Sequence, residues 1–302
     1  MDYDQRKPLI GRWGILFFFC LGVCAQDTTP FLNFTPSKEY RQALRAIETT
    51  EGTPLDKINA KIKLSSKHKN QEDLIQALSA KIELEGENAQ LRYLLGGANG
   101  IKAIQTAKLF ALPYVRAMLH NFHRAVAIDS TYTPALEAIV EALCQVPPIL
   151  GGSLSEATAY ADILYQQSTI EGLFAYGLIA ETKKNKENVY YQTAFEQMET
   201  MHLCSTDLTA FFANKSMNFP YKVAEISIRY NLYPALGHCA IDYFIANRTS
   251  NYNLPIEWLY YRKGQLLVQL GQPKEAMTWM TKALDHNPNF SLVKNYIKTI
   301  EK

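Results

Sequence analysis

The stretch that most constrains this chain is its last pair of helical segments, Glu257 to Phe290. Tyr260, Gly264, Ala276, Ala283 and Pro288 stand there at successive offsets of 4, 12, 7 and 5 residues. Tyr260 and Gly264 are one helical turn apart, so a ring and a gap share one face. Ala276 and Ala283, seven apart, put two small residues on the side of a second helix that meets the first. Gly271 supplies a left-handed residue to end the first helix, Pro273 opens the second, and Pro288 stops it. A helical hairpin of about 34 residues cannot bury its own apolar face and must stack on neighbours. The stretch therefore predicts an all-α solenoid of stacked helical hairpins.

The rest of the chain reads the same way. A Thr-, Pro- and Asn-rich linker, residues 27–37, leads to a helix near Lys38 to Glu48. Thr53 and Asn70, each followed three residues later by Asp, are helix caps. Leu74, Ile75, Leu78 and Ile82 make an amphipathic stripe. Helices are predicted over Asn88 to Lys102, Pro113 to Ile128 and from Thr133 to Pro147-Pro148. Gly151-Gly152 makes a loop, and Ser153 with Glu156 opens the helix that follows. Phe174 with Gly177, and Ala194 with Met198, form a degenerate pair, before helices over Pro220 to Tyr230 and Pro234 to Asn247. Strand signals are scarce.

The N-terminus has the form of an export signal. Arg6, Lys7 and Arg12 precede an apolar core, Ile15 to Val23, and Val23-Cys24-Ala25 has the small residues that signal peptidase favours. Residues 1–26 are thus expected to be removed, leaving one domain over residues 38–302. The apolar run, about eleven residues, is too short to cross a bilayer core of ~30 Å as a helix. No later segment is predicted to span a membrane. Leu21-Gly22-Val23-Cys24 loosely matches a lipoprotein box, but Val23 stands where a small residue is usual, so anchoring at Cys24 is the lesser alternative. Of the cysteines beyond the signal, Cys144, Cys204 and Cys239 fall in apolar helical patterns. They read as buried small residues, with a single bridge plus a leftover thiol as the alternative.

The series Leu95 to Gly100, Phe122 to Asp129, Pro147 to Ser153 and Tyr260 to Gly264 resembles a group of exported bacterial tetratricopeptide-repeat proteins. The resemblance spans roughly residues 70–300 and is specific only in the last repeat. It implies a helical solenoid used for protein contacts, with no chemistry of its own. Lys263 departs from the pattern, standing where an apolar residue is usual.

No constellation in the sequence points to an enzyme. The formal charge of +2, from 31 basic and 29 acidic residues, argues against a nucleic-acid binder. The clusters Lys67-His68-Lys69 and Lys183-Lys184-Asn185-Lys186 read as solvated loops. Gly96-Gly97 and Gly100 lack the strand and Lys of a phosphate loop and instead indicate close helix packing. His120 and His123 share a helix face without further metal ligands, so no metal or cofactor is expected. Glu137 and Glu141, one turn apart, read as an exposed helix face.

If the first helix of each hairpin lines the concave face, the last one presents Trp258, Tyr261, Gln265 and Gln269 to a partner. Rings beside amides suit an extended peptide. The expectation is a non-catalytic scaffold for a protein or peptide partner, in the periplasm or secreted. The alternative is a periplasmic small-ligand receptor, resembling the accessory repeat proteins of solute transporters, with the Cys144 to Ser153 connection closing over a cavity.

Overall fold

The computed structural model describes residues 36–184, 189–201, 208–213, 215–248 and 254–300. The signal-peptide reading, with Cys24, and most of the linker lie outside these residues. Among the described residues every regular element is helical and none is a strand.

Helix α1 (Lys38–Thr49) leads into the hairpin of α2 (Pro54–His68) and α3 (Gln71–Glu85). The next hairpins are α4 (Ala89–Gln105) with α5 (Leu112–Ile128), and α6 (Thr133–Gln145) with α7 (Leu154–Gln167). A one-turn helix sits inside each of these two, Lys108–Phe110 and Pro148–Leu150. They are followed by α8 (Thr169–Thr182) with α9 (Val189–Thr200), then the short α10 (Leu208–Ala213). The last hairpins are α11 (Phe219–Tyr230) with α12 (Pro234–Asn247), and α13 (Ile256–Gln269) with α14 (Pro273–His286); α15 (Ser291–Ile300) closes the stack.

Local chemistry sets the boundaries. Thr53 and Asp56 form a reciprocal capping box, and the Asn70, Asn88 and Ser153 side chains accept from the third amide of the helices they open. Prolines occupy the first turn of α2, α5, α6, α11, α12 and α14. Gly271 adopts φ +74° after α13, and the Gln272 amide closes the turn on the Leu267 carbonyl at 2.8 Å.

Every α-helix except α10, which packs on α12, packs on a sequence neighbour, and α4, α6 and α8 also pack side by side, as do α11 and α13. The first helix of each hairpin thus belongs to an inner layer and the second to an outer one. The core is a chain of overlapping clusters rather than one centre. The largest joins α5, α6 and α7 through Met118, Phe122, Leu136, Ile139 and Leu143. The next joins α8, α9, α11 and α12 through Phe174, Tyr191, Phe195 and Phe219. α8 is apolar on all sides and ten of its residues are buried, as expected for a helix enclosed by neighbours.

Three glycines let paired helices approach closely. A Cβ on Gly96 would meet the Phe122 ring at 2.6 Å, which realises the close packing expected of the Gly96-Gly97 run. One on Gly177 would meet Tyr191 at 2.2 Å, and one on Gly264 would meet Met280 at 2.5 Å. Ala276 and Ala283 are fully buried on the α14 face against α13. Tyr260 rests on Trp279 and His286 with ring centroids 5.2 and 5.7 Å away, and Pro288 is exposed just beyond the end of α14.

Candidate functional site

Every buried charged residue among those described lies on an inner helix: Glu137 on α6, Glu171 on α8, Lys222 and Glu225 on α11, and Glu257, Arg262 and Lys263 on α13. Helical spacing accounts for part of this arrangement. Lys222, Glu225 and Arg229 stand at i, i+3 and i+7 on α11, and Arg262, Gln265 and Gln269 repeat that spacing on α13. Each set falls on one face, and the two faces meet.

Burial obliges these groups to find partners, since an unpaired ion in a low dielectric is costly. Lys222 donates to Glu137 at 3.1 Å, and the Ser216 hydroxyl donates to the same carboxylate. Lys215 donates to Glu171 at 2.7 Å and to Ser168 at 3.0 Å. Arg229 bridges Glu181 at 2.9 Å and Glu225 at 3.3 Å. Tyr191 and Tyr230 also donate to Glu181. Arg262 reaches Glu225 at 3.3 Å and Gln265 at 2.9 Å.

Burial pushes the Glu225 carboxyl above the ordinary carboxylate range, against the pull of Arg229 and Arg262. Its Oε2 is buried without a hydrogen-bond partner, as are Gln269 Oε1 and both amide atoms of Gln145. The inner layer thus holds spare hydrogen-bonding capacity on α6, α11 and α13. A small cleft, with room for about one water molecule, lies among Glu137, Glu171, Lys222 and Phe174.

The sequence-predicted groove residues are placed differently from one another. Trp258 and Tyr261 do not line an open face. Trp258 is 1% exposed, with Phe290 4.6 Å away between ring centroids, and Tyr261 packs on Phe290 and Tyr296. The physical cause is α15, whose Val293, Tyr296 and Ile297 complete an apolar cluster with both rings. Gln265 and Gln269 are half-buried, bonded to Arg262, Tyr261 and the Ile228 carbonyl. They join the charged stripe rather than an aromatic groove.

Other readings also shift. Glu137 is not on an exposed face, because it is 9% exposed and paired to Lys222. His123 lies 3.0 Å from the Tyr160 hydroxyl and 3.5 Å from Glu156, and no group of metal ligands occurs among the described residues. Lys67, Lys183 and Lys184 are exposed, whereas Lys69 is half-buried. Cys144 is a buried free thiol, pushed up to about 12 by desolvation. Cys239 is disulfide-bonded, against the reading of three buried thiols. The stripe on α11 was open to sequence reasoning as polar residues at helical spacing inside an apolar helix; which groups pair was not.

Residues 258–290 match the tetratricopeptide repeat family. No curated protein matches the chain. No helix among the described residues is long and apolar enough to cross a membrane.

Proposed function

We propose that this chain is an exported, non-catalytic scaffold whose inner face holds an extended segment of a protein partner in the cell envelope. The carrying observation is the row of polar side chains left partly exposed on the inner helices, among them Glu141 on α6 and Gln265 and Gln269 on α13. An extended segment brings a row of backbone amides and carbonyls that partly exposed carboxylates and amides can bond. The repeat match at residues 258–290 supports a role in protein contacts by analogy of fold.

Export rests on the basic Arg6, Lys7 and Arg12, the apolar run Ile15 to Val23 and the cleavage-like Val23-Cys24-Ala25. The Cys239 disulfide agrees with an oxidising compartment. The cleft beside Glu137 and Lys222 leaves room for about one water molecule, far short of the roughly 300–1,000 Å³ usual for small-molecule pockets, which favours a protein segment over an enclosed ligand at this place.

Crosslinking in the native host, followed by capture from envelope extract, tests the partner reading. Glu141→Lys with Gln265→Lys, both on inner helices, should reduce capture, while Lys282→Glu on the outer α14 should not. Equal capture by all three proteins, each with a native thermal midpoint, would remove the inner face as the binding surface. Mass spectrometry of the mature N-terminus tests export. A start at Gln26 or Asp27 or a lipidated Cys24 supports it, and a retained Met1 in the native host overturns it.

A further inference from the structure

Parallel alignment of the inner helices gives the solenoid two distinct edges. Glu171 and Lys215 meet at the N-terminal ends of α8 and α11, and Glu181 meets Arg229 near their C-terminal ends. Gln269 reaches the Ile228 carbonyl at the C-terminal ends of α13 and α11. One edge therefore collects the turns inside hairpins, where inner helices end and outer ones begin. The other collects the turns between hairpins.

The within-hairpin edge carries the two one-turn helices. Leu109 and Phe110 are 90% and 70% exposed, and Ile149 is 90% exposed. These turns belong to successive hairpins and both rest on α5. The second is rigidly built. Pro147 and Pro148 fix its entry, and the Leu150 and Gly152 amides both donate to the Pro147 carbonyl, at 2.8 and 3.1 Å. The Ser153 amide donates to Leu143 at 3.1 Å, and a Cβ on Gly152 would lie 1.6 Å from the Val146 carbonyl oxygen. Ile149 is held outward by a turn whose next four amides are all hydrogen-bonded, rather than left over from a loose one.

Charge is biased along the same lines. The within-hairpin edge bears exposed Lys67, Arg116, Lys183, Lys184 and Lys274 against exposed Glu275, and Glu72 beside them is drawn to Lys102 at 3.0 Å. The opposite edge bears exposed Glu51, Glu85, Glu199 and Asp285, with exposed Arg124 bound to Glu87 and Lys282 one turn from Asp285. Apolar tips flanked by bases suit a surface with an apolar interior under negative head groups. A protein groove would instead call for a broad, continuous apolar patch.

We propose that the within-hairpin edge docks the solenoid on an anionic lipid surface, with Leu109, Phe110 and Ile149 entering the interface. Docking on this edge leaves the inner face open and is independent of the scaffold reading.

Vesicle co-sedimentation of the mature chain tests the proposal. The protein should pellet with vesicles containing phosphatidylglycerol and not with phosphatidylcholine alone, and added salt should release it. The Leu109→Asp, Phe110→Asp, Ile149→Asp variant touches no core residue and should lose about tenfold or more in partitioning, with partner capture unchanged. An environment-sensitive dye on Ile149→Cys should brighten on the anionic vesicles, with the parent chain labelled in parallel as the blank for Cys144, Cys204 and Cys239. Absence of pelleting, equal pelleting by the triple variant, or a silent dye during pelleting would each overturn the proposal. So would a protein crosslinked through position 149 in the absence of lipid binding.

Discussion

Glu137 and Lys222 meet at 3.1 Å although 85 residues separate them, and the hairpin that carries Glu171 lies between theirs in the chain. Their contact ties α6 to α11 across an intervening repeat, so the inner layer is cross-braced beyond nearest neighbours. Both side chains are about nine-tenths buried, at 8% and 11% exposure. Removing one partner strands the other.

Lys222→Ala should therefore cost about 3–5 kcal/mol, read as a shift in the urea midpoint. The double variant Glu137→Leu, Lys222→Met should recover most of that loss, since an apolar pair of similar volume needs no counter-charge. A neutral Lys222→Ala would show that the pair does not brace the fold.

Gly177→Ala and Gly271→Ala separate space from conformation. The first places a Cβ 2.2 Å from the buried Tyr191 ring and should cost about 2–3 kcal/mol through overpacking. The second meets nothing within 4 Å but sits at φ +74°, so its cost of roughly 1 kcal/mol is backbone strain alone. Chemical denaturation of both, with crystal structures of the folded variants, checks the ranking.

Acid stability should depend on Glu87. Arg124 first, then Arg92, hold its carboxyl at about 2, well below its ordinary 4.5. The folded state therefore binds fewer protons than the unfolded chain between these values. The contribution is fully present above pH 4.5 and is lost as pH falls toward 2. Because Glu87 is in contact with water, the effect is modest and weakens with salt. Glu87→Gln should flatten the pH dependence of the thermal midpoint within that window; an unchanged slope would exclude the group.

The thiols should separate cleanly. In unreduced protein Cys144 should resist alkylation until the chain unfolds, given its burial and a thiol pushed up to about 12. Cys239 should stay in a crosslinked peptide until reductant is added. Alkylation of Cys239 without reduction would contradict the bridge.

Trp258 should behave as a core residue. A chain ending at Asn289 lacks Phe290 and Val293, which cover its ring. In a Trp279→Phe background, truncation should red-shift the tryptophan emission and raise its quenching by iodide. Unchanged emission would mean that α15 does not seal the cluster.

What the sequence disclosed was local. Thr53 with Asp56 and Asn70 with Asp73 are caps because the partners sit three residues apart, and Gly264 with Ala276 and Ala283 report one hairpin's packing. The pairing of Glu137 with Lys222 carries no local signal, since nothing near either residue specifies how far the stack curves. Trp258 was legible as aromatic and on the first helix of its hairpin. Its cover was not, because α15 lies beyond the repeat whose register suggested the groove. Cys239 looked like its neighbours in an apolar pattern, and only tertiary proximity distinguishes a bridge from a buried thiol.

The pairings on the inner helices also work as an address code. In an array of near-identical units, hairpins can be duplicated, deleted or exchanged because every junction is equivalent. Here Glu171 answers Lys215, Glu181 answers Arg229 and Glu225 answers Arg262, one lysine and two arginines, each pair at a different height along its helix. Moving a hairpin by one place would leave buried ions facing the wrong neighbour. The chain has repeat architecture without repeat interchangeability, so the order of these hairpins is specified by electrostatics as well as by packing.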